Sequence, residues 1–247
     1  ISETKLRISE GNLMNDPSEG EAFYDFLNLE SINKDQSFSQ KPFLGSFVSE
    51  HNSDDLNMWR FYGKENGKEA KGCSITIETQ AFIDEIESFL SNEKKERRYE
   101  NASDIHFYRV TYIDQKTNDL YIPNSEDTSE LKALMMKLKK ESSFLKKNTL
   151  LTKKYLNAIA FLFKNDSYKS ENEVRLVVNG FEFAKQYNTD ISPPKVYIEL
   201  ASIKEITKKI ILGPNVEDST EWKTVIFHSF VRNIPVIEKS TLRYKYQ

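Results

Sequence analysis

The segment Lys164–Val178, KNDSYKSENEVRLVV, decides how the rest of the chain is read. Its charged residues Glu171, Glu173 and Arg175 alternate and lead directly into the apolar triplet Leu176-Val177-Val178. Alternation along a strand sends every second side chain to one face, so two carboxylates and one permanent cation share that face. The apolar residues beside them imply partial desolvation, where charge acts more strongly than on open surface. From pattern alone the alternative is an edge strand whose charges meet water.

Downstream, Lys195–Leu200 and Lys209–Leu212 read as strands, Gly213-Pro214-Asn215 as a turn, Thr220–Val231 as an amphipathic helix and Pro235–Lys239 as a last strand. Upstream, Leu150–Phe163 and Ser129–Lys147 read as helices, the second with Leu131, Leu134, Met135 and Leu138 on its apolar side. His106–Ile113 is one strand rich in aromatic and β-branched residues, with Leu120–Ile122 as its hairpin partner. Ala81–Ser91 has helical periodicity, and Glu93–Glu100 is a charge run expected in solvent. Nearer the start, Lys5–Ser9 and Phe43–Val48 read as strands. Ser18 and Glu21 have capping-box spacing for a helix over 19–29, with Phe23, Phe26 and Leu27 inward. Leu56, Trp59 and Tyr62 share a helical face that stops at Gly63, and Gly72–Glu78 alternates as a strand. Short strands mixed with separate helix pairs predict an α+β fold. The expected form is a single mixed domain over 1–247 with a central, mainly antiparallel sheet and a helical and hairpin insertion near 81–160.

Composition narrows the function. The 247 residues suffice for a real core, and 16 Phe and 12 Tyr supply large groups to fill it. A net charge of −3 disfavours a general nucleic-acid binder, although Lys137–Lys154 is locally cationic and suits either a solvated helical face or an acidic partner. The single cysteine, Cys73, excludes an internal disulfide, fits a reducing cytoplasm and reads as a packing thiol. His51, His106 and His228 are scattered, so no metal is expected. No apolar run is long enough to span a membrane. Only 8 glycines are present, none in a phosphate-loop or dinucleotide spacing, and there is no nucleophile elbow. These absences argue against P-loop enzymes, kinases, doubly wound dehydrogenases and hydrolases of the elbow type.

The candidate ligand-binding residues carry two readings each. Asn15, Asp16 and Glu19 line a pocket or bind a cation through oxygen ligands, or they close a turn and cap a helix. Trp59 and Tyr62 stack on a ring or pack in the core.

Several fragments in order resemble a bacterial family, the domain of unknown function 2971. They are NLMNDPSEG, SFVSEHNSDDLNMWRFYG with AKGCSI, FK with SENEVRL, and IILGP. That resemblance runs from about Leu6 to the end and implies a tetratricopeptide-repeat or other region N-terminal to this one. It carries no chemistry. A weaker resemblance, to ADP-ribosyltransferases, implies NAD as substrate, an ADP-ribosyltransferase-like or NAD glycohydrolase activity, and a role as toxin or phage-defence effector. Glu173, or its neighbour Glu171, falls where the catalytic glutamate of those enzymes would lie, with Arg175, Asn15, Asp16, Trp59, Arg60 and Tyr62 as ligand-binding residues. The chain departs from their pattern in having no early-strand His or Arg motif other than Arg7. A middle-strand Ser-Thr-Ser is replaced by Gly72-Cys73-Ser74. The alternative function is a non-catalytic ligand- or protein-binding module, with Glu173 and Arg175 in an internal ion network that includes Lys164 or Arg60.

Overall fold

Apolar residues at alternate and at helical spacings fix twelve strands and seven α-helices among the described residues. A computed structural model describes residues 5–14, 16, 18, 20–31, 41–93, 105–178, 183–192, 194–230 and 232–243. The strands are β1 (Lys5–Glu10), β2 (Phe43–Val48), β3 (Cys73–Ile77), β4 (Ile105–Arg109), β5 (Thr111–Ile113) and β6 (Leu120–Tyr121). They continue with β7 (Phe163–Asn165), β8 (Glu173–Val178), β9 (Lys185–Asn188), β10 (Lys195–Ser202), β11 (Thr207–Leu212) and β12 (Val236–Lys239). The helices are α1 (Glu21–Phe26), α2 (Leu56–Tyr62), α3 (Thr79–Glu93), α4 (Ser129–Lys140), α5 (Ser142–Lys147), α6 (Thr149–Ala160) and α7 (Ser219–Ser229). The class is α+β, and the pairings are mainly antiparallel.

The chain divides into two compact units. The larger comprises residues 7–47 and 103–199. It carries the six-stranded sheet ordered β4-β8-β2-β1-β10-β9 and the small sheet β6-β5-β7. Its main core joins Phe23 and Phe26 of α1 and the following Leu27 to Ile113, Met135, Leu156 and Phe163. Helices α4 and α6 thus close this core.

Three expectations about element boundaries change in this unit. The run His106–Ile113 is two strands, because its hydrogen bonding changes direction at the buried Val110. The Val110 N–H donates to the Glu173 carbonyl, and the next N–H, of Thr111, donates to the Leu162 carbonyl. One β-forming run therefore serves two sheets. The long helix Ser129–Lys147 breaks at Glu141, where Ser142 and Ser143, modest helix formers, open α5. Leu134 lies on the exposed side of α4 and not against the core. The helix expected to reach Phe163 stops at Ala160, and Phe163 opens β7.

Near the N-terminus, the capping box is replaced by another device. Gly20, at φ +79°, is the N-cap of α1, and Asp16 Oδ1 accepts from both the N–H and the hydroxyl of Ser18. Strand β9 was not expected: KQYN is polar and half exposed, as an edge strand is allowed to be. The charge run Glu93–Glu100 falls, beyond its first residue, outside the described residues.

The smaller unit comprises residues 1–6, 48–102 and 200–247. Its sheet is ordered β12-β11-β3, with β11 parallel to β12 and antiparallel to β3. Helix α7 connects the two parallel strands and buries Ile226 against Ile210, Leu212, Val216 and Phe230. Asp55 caps α2 by accepting from the N–H groups of Asn57 and Met58. Only Trp59 on that helix is buried, packing with Ala70 and Ile211. Tyr62, expected beside it, is 61 % exposed, because seven residues of helix present a single buried position. Cys73 at the head of β3 is exposed and not a packing thiol.

Gly213 is the tightest backbone approach in this unit. A Cβ there would lie 2.3 Å from the Ala70 carbonyl oxygen, a backbone atom that no rotamer change can move aside. Gly213→Ala should therefore destabilise the protein by about 3 kcal/mol, the upper end of overpacking costs. Gly67→Ala, with φ +77° but nothing within 4 Å, should lose only about 1 kcal/mol. Urea denaturation of the two variants measures both, and equal losses would remove the steric explanation.

Candidate functional site: a buried ion cluster

In the larger unit, β5 runs between β6 and β7, and Tyr112 stands opposite Lys164 in the parallel pairing of β5 with β7. After β7 the chain makes a 3-10 turn over Asp166–Glu171, begun by Asn165 Oδ1 accepting from the Ser167 N–H. Asn172 then adopts the left-handed conformation, φ 45° and ψ 45°, which asparagine tolerates better than most residues. That reversal places Glu171 before the bend and Glu173 after it. Both carboxylates reach the same ammonium group: Lys164 Nζ lies 2.8 Å from Glu171 Oε2 and 3.1 Å from Glu173 Oε2.

Arg175, two residues along β8, shares the face of Glu173. Its Nε donates to Glu173 Oε1 at 2.7 Å and its Nη2 to Glu173 Oε2 at 2.8 Å, a bidentate pairing. Its Nη1 donates to the carbonyl of Phe161, the C-cap residue of α6, where a helix leaves acceptors unpaired and favours a cation. Arg175 is 0 % exposed and Glu173 3 %. The Glu173 N–H in turn donates to the hydroxyl oxygen of the buried Tyr112 at 2.9 Å. Among the described residues no buried side-chain nitrogen or oxygen lacks a partner.

The ionisations follow from these contacts. Burial alone would raise the Glu173 carboxyl, but the charges of Arg175 and Lys164 and hydrogen bonds from Arg175 and Ser46 outweigh it, so Glu173 lies below its ordinary value. Burial pushes the Tyr112 phenol up to about 12. Tyr168, whose ring lies 5.0 Å from Lys164 Nζ, is raised chiefly by the negative charge of Asp16, then by burial and a hydrogen bond with Asp16.

The residues singled out in the sequence thus separate. Glu171, Glu173, Arg175 and, through Tyr168, Asp16 belong to this cluster. Asn15 and Glu19 lie outside the described residues. Trp59, Arg60 and Tyr62 belong to α2 of the smaller unit. There the Trp59 Nε1–H donates to Asp54 at 2.7 Å from a buried ring, and Arg60 and Tyr62 are exposed. Arg7, the early-strand cation, is engaged by Glu199 at 2.9 Å and lies over the Tyr197 ring. Glu171 ends a 3-10 turn and not a strand, so its place beside Glu173 comes from the bend at Asn172 and not from alternation. Tyr112 and Tyr168 were not picked out. Their sequence signals, a tyrosine in a β-rich run and one in a polar loop, are shared with most of the other tyrosines. Among the described residues no group of three or more His, Cys, Asp or Glu is placed to hold a metal ion, and no helix is long and apolar enough to cross a membrane.

The stretch from the end of α2 through this cluster has a counterpart among known families. Residues 58–176 match DUF2971, a family of proteins of unknown function. The DUF2971 stretch includes Tyr112, Lys164, Glu171, Glu173 and Arg175, and leaves Asp16 and the Gly213 turn outside it. No curated protein and no solved structure matches the chain.

Removing one partner from a buried pair leaves the other charge uncompensated. Arg175→Met should lower the unfolding free energy by about 3–5 kcal/mol, read by urea denaturation. Because the folded value of Glu173 is depressed, its ionised form stabilises the native state above the ordinary carboxylate value of 4.5. That contribution is lost as pH falls through the depressed folded value. Stability measured from about pH 6 downward, through the range in which carboxylates titrate, should therefore fall less steeply in Glu173→Gln than in the wild type. Parallel curves would show that Glu173 does not carry the acid limb.

Proposed function

We propose that this DUF2971 protein is a non-catalytic ligand- or partner-binding module in which the Glu173–Arg175–Lys164 cluster is a structural element. One observation carries the reading: both carboxylate oxygens of Glu173 are taken by Arg175 and Lys164, and the residue is 3 % exposed. A glutamate that holds a ribose hydroxyl and stabilises an oxocarbenium-like centre must present an oxygen to the ligand. Glu173 has neither an open oxygen nor solvent access. The aromatic wall such an enzyme would use is also diminished, because Trp59 is spent on packing in α2.

A second reading keeps NAD as substrate and moves the catalytic carboxylate to Glu171. It is favoured by the position of Glu171 at the outer side of the cluster, where its side chain is 14 % exposed. On that reading the chain is an ADP-ribosyltransferase-like enzyme or NAD glycohydrolase, and a toxin or phage-defence role follows from NAD consumption.

Nicotinamide release from NAD separates the two. The binding-module reading expects no release by the wild-type protein at micromolar enzyme. It also expects Glu173→Gln to change stability, by the few kcal/mol of a broken buried pair (about 3–5). Release that disappears in Glu171→Gln, with folding intact by circular dichroism, would overturn that reading in favour of the enzyme.

A further inference from the structure

The smaller unit contains a solvent-open depression of about 600 Å³, wide enough to seat a small molecule. Three lysines line it, from two segments: Lys68 and Lys71 in the connection between α2 and β3, and Lys239 at the end of β12. Its remaining wall is the loop from Pro214 to Ser219, where α7 begins. That loop is held in place by main-chain bonds. The Gly213 N–H donates to the Gly72 carbonyl at 2.9 Å, and the Asn215 N–H to the Ala70 carbonyl at 3.0 Å. Asn215 Nδ2 donates to the Glu69 carbonyl and Lys239 Nζ to the Val216 carbonyl, at 3.1 and 3.0 Å. The absence of room for a Cβ at Gly213 fixes the same backbone. The backbone of this wall is therefore held in place, while the charged side chains of Lys68 and Glu217 reach into solvent.

Its charges are unequally held. The Lys71 side chain is 13 % exposed, and its ammonium group lies 2.6 Å from Glu217 Oε1. The Glu217 side chain is 77 % exposed. A cation that has lost most of its water needs an anion. Glu217, one of the groups that Lys71 meets, hangs in solvent, where an ion pair contributes little and its anionic half is readily exchanged. Lys68 lowers the Glu217 carboxyl along with Lys71, so both lysines act on the same point. Three lysines against Glu217 and Asp218 leave an excess of positive charge, and displacing Glu217 enlarges it. That balance suits a multiply charged oxyanion better than a single carboxylate, which Lys71 alone would match.

We propose that this depression binds a phosphate-bearing small molecule, whose oxyanion replaces the Glu217 carboxylate on Lys71 while Lys68 and Lys239 neutralise its remaining charge. The ammonium groups serve as point charges toward phosphate. This gives the binding-module reading a ligand class and rests on that reading only for its biological meaning.

Calorimetric titration of the full chain with inorganic pyrophosphate, at constant ionic strength and with sulfate as control, tests the assignment. Saturable binding to one site per chain is expected. Glu217→Gln removes the competing carboxylate and should tighten binding by about two- to fivefold, the worth of an exposed ion pair. Lys71→Gln should abolish binding. Lys68→Gln changes an exposed turn residue that the core does not need, and should weaken binding by about fivefold or more. It keeps the test decisive if Lys71→Gln does not fold. Absence of pyrophosphate binding in both the wild type and Glu217→Gln would overturn the site, as would binding that folded Lys68→Gln and Lys71→Gln leave unchanged. Either result leaves the binding-module reading standing, whereas nicotinamide release would overturn that reading and leave this depression untouched.

Discussion

A guanidinium group with no exposure to water constrains everything around it. Arg175 cannot be neutralised at any accessible pH, so its desolvation has to be offset by geometry. Glu173 supplies two acceptors and the end of α6 supplies a third. The consequence is positional: the start of β8 is tied to the C-terminus of α6, and Phe161 is fixed where its carbonyl is needed. The Phe161 ring then fills the space beside Gly11, where a Cβ would come within 2.7 Å of it, and lies against Gly20 and Leu44. One buried cation thus organises the entry of β8, a helix end and the loop ahead of α1. Replacing such a cluster with apolar groups is often neutral or stabilising in other proteins. Its worth here lies in specifying one arrangement of these segments.

Part of this was legible in the sequence. Two-residue spacing put Glu173 and Arg175 on one face, and the apolar triplet behind them marked the setting as dry. The class, most strands and the Gly63 helix stop also followed from period and punctuation. The failures share a cause, which is that period does not report partners. The run through Val110 has strand character throughout, and only the change of neighbour from β8 to the segment before β7 splits it. Trp59 and Tyr62 have helical spacing, yet α2 is too short to bury more than one of them. The pairing of Lys164 with two carboxylates depends on the left-handed bend at Asn172, a feature of one residue's backbone. Lys71 and Glu217 are far apart in the chain, and nothing local to either announces the other.

The two clusters differ in how their charges are held. Around Arg175 the acceptors are as buried as the donor, so exchange with a ligand is obstructed. Around Lys71 the donor is sheltered and the acceptor is not. A dry, closed ion pair serves architecture, and a half-wet one has a partner that can leave. This difference in solvent contact, more than the identity of the charged residues, distinguishes the two clusters.

The order of the strands also has a bearing on synthesis. Strand β3 pairs with β11, which follows about 130 residues later, so closing that sheet carries the entropy cost of a long loop. The third strand, β12, comes later still. A ribosome therefore releases β3, with its exposed Cys73 and Ile75, well before any strand that can cover its edge. The intervening segment, most of the larger unit, emerges complete in the meantime and can condense first, as domains do during translation. The smaller unit thus closes after the larger one, and until β11 emerges the β3 edge is open to chaperones or to a neighbouring chain.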